Sequence, residues 1–145
     1  MKTSTFKFKN YTFQLCTEDD DVVSLIRVEQ TPLIIHPEHQ CFIEDLVNYE
    51  KGLNKEFKWS IKFSNTEFQK KVFSALQSIP YGETRTYHEV AKMIQQPKAA
   101  RAVGQAISKN PVLIVIPCHR VLAKSGLGGF SSGLDLKEDL LNLEK

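Results

Sequence analysis

The stretch that most constrains this chain is Asn110-Pro111-Val112-Leu113-Ile114-Val115-Ile116-Pro117-Cys118-His119-Arg120. Val112 to Ile116 is an unbroken aliphatic run fenced by Pro111 and Pro117, so it has to be buried and reads as a strand or extended segment. Cys118 follows where the run stops, with the His119 imidazole and the Arg120 guanidinium beside it. Most free cysteines are small buried hydrophobes. Cys118 differs in its position after the run, in two neighbours that favour thiolate, and in the glycine-rich loop Lys124 to Gly133 that follows. These features predict a thiol reactive below its ordinary pKa of about 8.5.

A chain of 145 residues has room for one domain or two small lobes, and 41% hydrophobic with 25% charged residues is the balance of a folded protein. The net charge of +2 permits a nucleic-acid partner without requiring one. No apolar run approaches the roughly 18 residues of a membrane span, and the first residues alternate instead of forming a signal sequence, so a cytoplasmic location and no membrane partner are expected. Cys16, Cys41 and Cys118 are an odd number at unrelated spacings, which predicts reduced thiols.

Residues 1–64 read as a strand-rich lobe. Phe6/Phe8 and Phe13/Leu15 alternate at the strand period, Val22 to Val28 is β-branched, and Glu18 to Asp21 reads as a solvated turn. Cys41 to Tyr49 reads as a helix with Phe42, Leu46 and Tyr49 on one face, and Phe57, Trp59, Ile61 and Phe63 alternate as a further strand. His36, His39 and Cys41, with Cys16, could form a tetrahedral zinc set. A surface loop with two titrating histidines is the simpler reading, because Pro32 and Pro37 flank it and no paired C-x-x-C is present; no metal is expected.

From residue 65 to 145 the pattern turns helical. Thr66 with Gln69 forms a capping box before Phe68, Val72, Ala75, Leu76 and Ile79, and Pro80-Tyr81-Gly82 ends that helix. Thr86 with Glu89 opens a second helix, and Lys98 to Ser108 forms a third, giving the dimensions of a helix-turn-helix or of an ordinary packed pair. Ala99, Ala100, Ala102 and Gly104 let the third helix press its backbone against a surface. Arg101 at its start opposes the helix dipole unless something anionic or stacked receives it, which favours a nucleic-acid groove. Leu136, Leu140, Leu141 and Leu143 give a last helix its apolar face. The fold class is α+β: a small N-terminal sheet with a helix, then a mostly helical lobe carrying the helix-turn-helix and the cysteine.

In extended backbone His119 and Cys118 point to opposite faces, so a water relay or a kink has to link them. Glu138, Asp139 and Glu144 are the candidates to fix the histidine tautomer.

I-P-C-H-R-V preceded by N-P-V, with K-A-A-R-A-V-G upstream and G-x-x-x-K-x-x-L-L-x-x-E downstream, resembles the methylated-DNA–protein-cysteine methyltransferases, or O6-alkylguanine-DNA alkyltransferases, over about Phe68 to Glu144. The resemblance implies a monomeric DNA-repair protein without cofactor that takes an alkyl group from guanine O6, or from thymine O4, once. Cys118 would be the acceptor, His119 its base through water, Glu144 the orienter of His119, and Asn110 the brace of the turn. Tyr87 would assist the departing guanine, Ser131 would hold its oxygen side, and the main-chain carbonyls of Cys118 and Val121 would read its amine. Arg101 would enter the stack of double-stranded DNA as the nucleotide flips out, with Ala99, Ala100, Ala102 and Gly104 in the minor groove. Phe130 in place of a frequent tyrosine, Ser132 for glycine, Phe73 for tryptophan and Gln95 for a turn glycine depart from the family pattern, and Ser132 narrows the expected pocket.

Overall fold

A computed structural model describes all residues 1–145. It divides into two units, Met1–Phe63 with Pro111–Leu113, and Ser64–Asn110 with Ile114–Lys145. The architecture is α+β, as the sequence pattern predicts.

The first unit is built on an antiparallel sheet of β1 (Lys2–Phe8), β2 (Tyr11–Glu18) and β3 (Asp21–Val28), paired in that order. Asp19 and Asp20 link β2 to β3 with φ of 51° and 70°. Two successive left-handed residues match the twist of a tight hairpin, and aspartate tolerates them better than most side chains. The inward face of the sheet carries Phe6, Phe8, Phe13 and Leu15, all buried. Helix α1 (Gln40–Glu50) covers it with Ile43, Leu46 and Tyr49, the Phe8 and Tyr49 rings lying 6.3 Å apart. Ile43, not Phe42, completes the buried face of α1.

The expected strand at Phe57 to Phe63 does not form; only Ile61 makes a single bridge, to Val22. The alternating aromatics are instead committed to α1. Trp59 packs on Phe42 with centroids 5.0 Å apart and donates Nε1–H to Asp45 Oδ2 at 2.8 Å, while Phe57 packs on Tyr49 at 5.6 Å. Alternation reports that one face is buried, not that a partner strand exists.

In the second unit α2 (Glu67–Gln77) and α3 (Tyr87–Met93) both start with complete capping boxes, Thr66 with Gln69 and Thr86 with Glu89. They pack with α4 (Ala100–Ile107) through Val72, Phe73, Leu76, Val90, Ala91, Val103 and Ala106. Helix α4 begins two residues later than its sequence suggests. Ala99 N–H bonds the Gln96 carbonyl and closes a turn first, and alanine offers no side-chain cap to lengthen the helix. Gln95 ends α3 at φ 61°, the left-handed position that glycine usually fills. The last helix, α5 (Leu134–Leu143), buries Leu136, Leu140 and, unexpectedly, Lys137.

Val112 to Ile116 is buried but is not a strand. After one bridge between Val112 and Leu25, residues 113–116 turn, with Ile114 at φ 72°. The physical reason is Asn110, whose Nδ2 donates to the Ile116 carbonyl at 2.8 Å and draws the segment into a closed loop. A β-branched residue held left-handed costs about 1–3 kcal/mol, which the surrounding burial has to offset.

Candidate active site

Two short parallel strands set the frame. β4 (Arg85–Thr86) pairs with β5 (Val121–Leu122), Arg85 opposite Val121 and Thr86 opposite Leu122. Tyr87 therefore begins α3 next to the strand that leaves the cysteine. Gly128, at φ +74°, lies against Tyr87 so closely that a Cβ there would stand 2.9 Å from Tyr87 Oη and 3.1 Å from the Ala123 nitrogen. The Tyr87 ring also faces α4 at Gly104, at a distance an alanine would fill without strain.

Cys118 does not emerge from the buried run. It opens a 3₁₀ turn, Cys118–Arg120, that is itself buried, with the cysteine only 3% exposed. The Cys118 N–H bonds the Ile116 carbonyl at 2.7 Å and the Arg120 N–H bonds the Pro117 carbonyl at 3.0 Å. This corrects the expectation of a lowered thiol pKa. Burial pushes the Cys118 thiol up to about 11, against the Asn110 side chain, the Lys137 charge and the backbone N–H groups of Cys118 and His119, which all favour the thiolate. The site holds a protonated thiol ringed by donors.

His119 is fully buried, and its Nε2 lies 2.6 Å from Glu144 Oε2. Of the three candidate acids, Glu144 is the one in contact; Glu138 is exposed and Asp139 half-buried. Arg120 does not face the thiol either. Its Nε and Nη2 bond the two Glu144 oxygens at 2.8 and 3.0 Å, and its Nη1 bonds the Ile79 carbonyl at 2.8 Å. The Gly82 N–H adds a further bond to Glu144 Oε1 at 3.2 Å. An ionised carboxylate only accepts, so His119 Nε2 carries the proton and Nδ1 the lone pair. Burial holds the His119 pKa below its ordinary value despite Glu144, so the ring is neutral at neutral pH, and Nδ1 is buried without a protein partner. A neutral imidazole with a free lone pair can accept a proton at Nδ1.

The remaining predicted residues are placed as follows. Arg101 and Ala102 are exposed on the first turn of α4, and Ala99, Ala100 and Gly104 are half-buried. Val121 is buried, Phe130 and Ser132 are half-buried and Ser131 is exposed. His39 is buried, with Nδ1 2.5 Å from Ser4 Oγ and Nε2 2.8 Å from Thr17 Oγ1, so both ring nitrogens are committed to hydroxyls. Cys41 is exposed, and no group of three His, Cys, Asp or Glu side chains is placed to hold a metal.

Residues 67–145 match the family described as 6-O-methylguanine DNA methyltransferase, DNA binding domain. The chain belongs to the O6-methylguanine DNA methyltransferase family. Among its relatives, the methylated-DNA–protein-cysteine methyltransferase of Methanosarcina acetivorans is 56% identical over 97 residues, 66% of this chain and 62% of that protein. The chain thus matches under two thirds of that relative's length. The inducible enzyme of the same name from Bacillus subtilis is 41% identical over 138 residues, 94% of this chain and 68% of that protein. Among solved structures, Mycobacterium tuberculosis OGT in complex with DNA aligns with a TM-score of 0.89 and 38% identity over 97% of this chain and 91% of that one.

Within this methyltransferase family site, three features escape sequence reasoning. Arg120 and Gly82 hold Glu144, Tyr81 donates Oη–H to the Leu143 carbonyl at 3.3 Å beside it, and Lys137 is a buried cation. In the sequence Lys137 shows only as the lysine of the downstream motif and as a charge inside the apolar face of α5. No helix is long and apolar enough to cross a membrane.

Proposed function

We propose that this chain repairs DNA by taking the methyl group from guanine O6 in duplex DNA onto Cys118, once per molecule. The observation that carries this reading is the buried chain of contacts Glu144–His119 beside the Cys118 thiol, in a chain of this family. The Cys118 proton passes to His119 Nδ1 through a water. The sulfur lone pair forms the S–C bond as the C–O6 bond breaks, and the electron pair of that bond stays on the guanine oxygen. Proton return to the base completes guanine and leaves a thioether. A thioether is a poor leaving group, so the protein acts stoichiometrically and needs no cofactor.

The further roles are part of the same proposal. Asn110 braces the turn and donates towards the sulfur, and Tyr87 assists the departing base. Ser131, Phe130, Ser132 and the Cys118 and Val121 carbonyls form the base pocket. Arg101 fills the stack behind the flipped nucleotide while Ala99, Ala100, Ala102 and Gly104 lie along the minor groove. Arg101 is supported by its exposure on the first turn of α4. The protein works as a monomer in the cytoplasm, and O4-methylthymine is a second substrate.

Incubation with a duplex carrying O6-methylguanine, followed by peptide mass spectrometry, tests the transfer. A methyl group on the Cys118 peptide is expected; an unmodified peptide beside repaired DNA defeats the mechanism. Cys118→Ser should abolish transfer and keep DNA binding, and loss of binding would make the cysteine structural.

A further inference from the structure

The His119 tautomer depends on Glu144, and helix α5 alone holds that residue weakly. Leu143 ends α5 and Glu144 caps it, keeping one helical bond from its N–H to the Leu140 carbonyl at 3.2 Å. The carboxylate therefore stands past the last full turn, where helices fray. What grips that end is the turn after α2. The Ile79 carbonyl accepts from Arg120 Nη1 at 2.8 Å, the Tyr81 hydroxyl donates to the Leu143 carbonyl at 3.3 Å, and the Gly82 N–H donates to Glu144 Oε1 at 3.2 Å. A Cβ on Gly82 would stand 3.0 Å from the Glu144 carbonyl oxygen, so the turn lies against the backbone of Glu144 as well as its side chain. Residues 79–82 thus touch both members of the Arg120–Glu144 pair and the helix end that carries one of them.

Tyr81 supplies the side-chain part of that grip, and its two ends act differently. Its hydroxyl takes a carbonyl for which the helix offers no intrahelical donor. Its ring lies against the Arg120 guanidinium, whose Cζ is 5.9 Å from the ring centroid. Nε, Nη1 and Nη2 of that guanidinium are directed in its own plane at Glu144 and Ile79, so the aromatic face meets the direction that in-plane bonds leave open. Burial, and then the Glu144 charge, push the Tyr81 pKa above its ordinary value, which keeps the hydroxyl a donor at neutral pH.

We propose that Tyr81 is a positioning residue for alkyl transfer: through its bond to Leu143 and its ring against Arg120 it fixes the Glu144 carboxylate on His119 Nε2, and so keeps Nδ1 the acceptor. This rests on the methyl-transfer reading for its purpose, because that reaction draws on the Nδ1 lone pair. Tyr81 acts through Glu144 and Arg120 and exchanges no atom with the substrate. His119 with its proton on the other nitrogen would present a donor where the reaction needs an acceptor. Misplacing a group of such a site by about 1 Å can cost on the order of 100-fold in rate.

The test compares wild type, Tyr81→Phe and Tyr81→Leu as full chains. The ring nitrogens of His119 are read by long-range proton–nitrogen NMR without DNA, with the buried His39 of the other unit as internal control. Wild type should carry the proton on Nε2 alone. Tyr81→Leu loses both hydroxyl and ring, and should show a mixture of the two tautomers with transfer from O6-methylguanine DNA slowed about tenfold or more, while affinity for undamaged duplex stays unchanged. Tyr81→Phe keeps the ring and should keep the Nε2 tautomer, with the Nε2 proton exchanging with water about threefold faster and transfer slowed to match. A single Nε2–H tautomer in folded Tyr81→Leu overturns the proposal, and so does transfer at the wild-type rate. If Tyr81→Leu fails to fold, Tyr81→Phe decides, and a wild-type rate of proton exchange in it overturns the proposal. Failure of the methyl-transfer reading is seen separately, as wild-type protein that holds the Nε2 tautomer but takes no methyl group from the duplex.

Discussion

His119 Nε2 sits 2.6 Å from Glu144 Oε2, and both side chains are almost completely buried. The same carboxylate receives two bonds from Arg120 and one from the Gly82 backbone, so it is held as an anion and dictates which nitrogen of His119 bears the proton. The His119 tautomer is therefore set by a residue 25 positions away in the chain.

Removing the carboxylate should be far more costly than losing one hydrogen bond. Glu144→Ala leaves the buried Arg120 guanidinium without its partner, which costs about 3–5 kcal/mol. Urea unfolding should show the midpoint falling accordingly, and a change below about 1 kcal/mol would mean that the pair is open to solvent.

Stability should fall on mild acidification. Burial depresses the pKa of both His119 and His39 in the folded protein below the ordinary 6.5. The unfolded chain then binds more protons, so stability is full above about pH 6.5 and is lost below it, at up to about 1.4 kcal/mol per pH unit for each histidine. Thermal midpoints between about pH 7 and pH 5 check the slope; a flat profile would show that neither ring resists protonation.

Gly128→Ala should damage both the fold and the reaction. The new Cβ meets Tyr87 Oη at 2.9 Å and the Ala123 nitrogen at 3.1 Å, and the residue must hold φ +74°. The left-handed strain alone is about 1–2 kcal/mol. Transfer kinetics beside thermal melting will separate the two effects, and wild-type values in both would rule out the contact.

Gln95→Gly should stabilise the protein. Gln95 holds φ 61° after α3, where glycine escapes the Cβ clash but loses more entropy on folding, for a net gain of about 0.5–1 kcal/mol. The melting temperature should rise by about 2–4 °C with transfer unaffected.

Arg101→Ala should slow transfer from a duplex about tenfold or more and leave reaction with a free O6-alkylguanine base unchanged. Equal slowing of both would show that Arg101 acts on the site and not on the DNA.

The helices were legible because their signals are local. Thr66 with Gln69 and Thr86 with Glu89 are caps that act across three residues, and both form as their spacing dictates. Phe57 to Phe63 misled because alternation records burial on one side, and α1 supplies that burial as well as a strand would. Val112 to Ile116 misled because its hydrophobicity says that it is inside, while Asn110 decides its path.

The sequence by itself determined the family and the α+β class, since these rest on residue types in a fixed local order. Only the tertiary structure decided the electrostatic state of the site. Burial raises Cys118, Arg120 turns away to hold Glu144, and Lys137 comes in from α5 as a cation without a carboxylate. Desolvation and charge pairing depend on what surrounds a group in space. That surrounding is assembled from segments far apart in the chain, so no spacing rule encodes it.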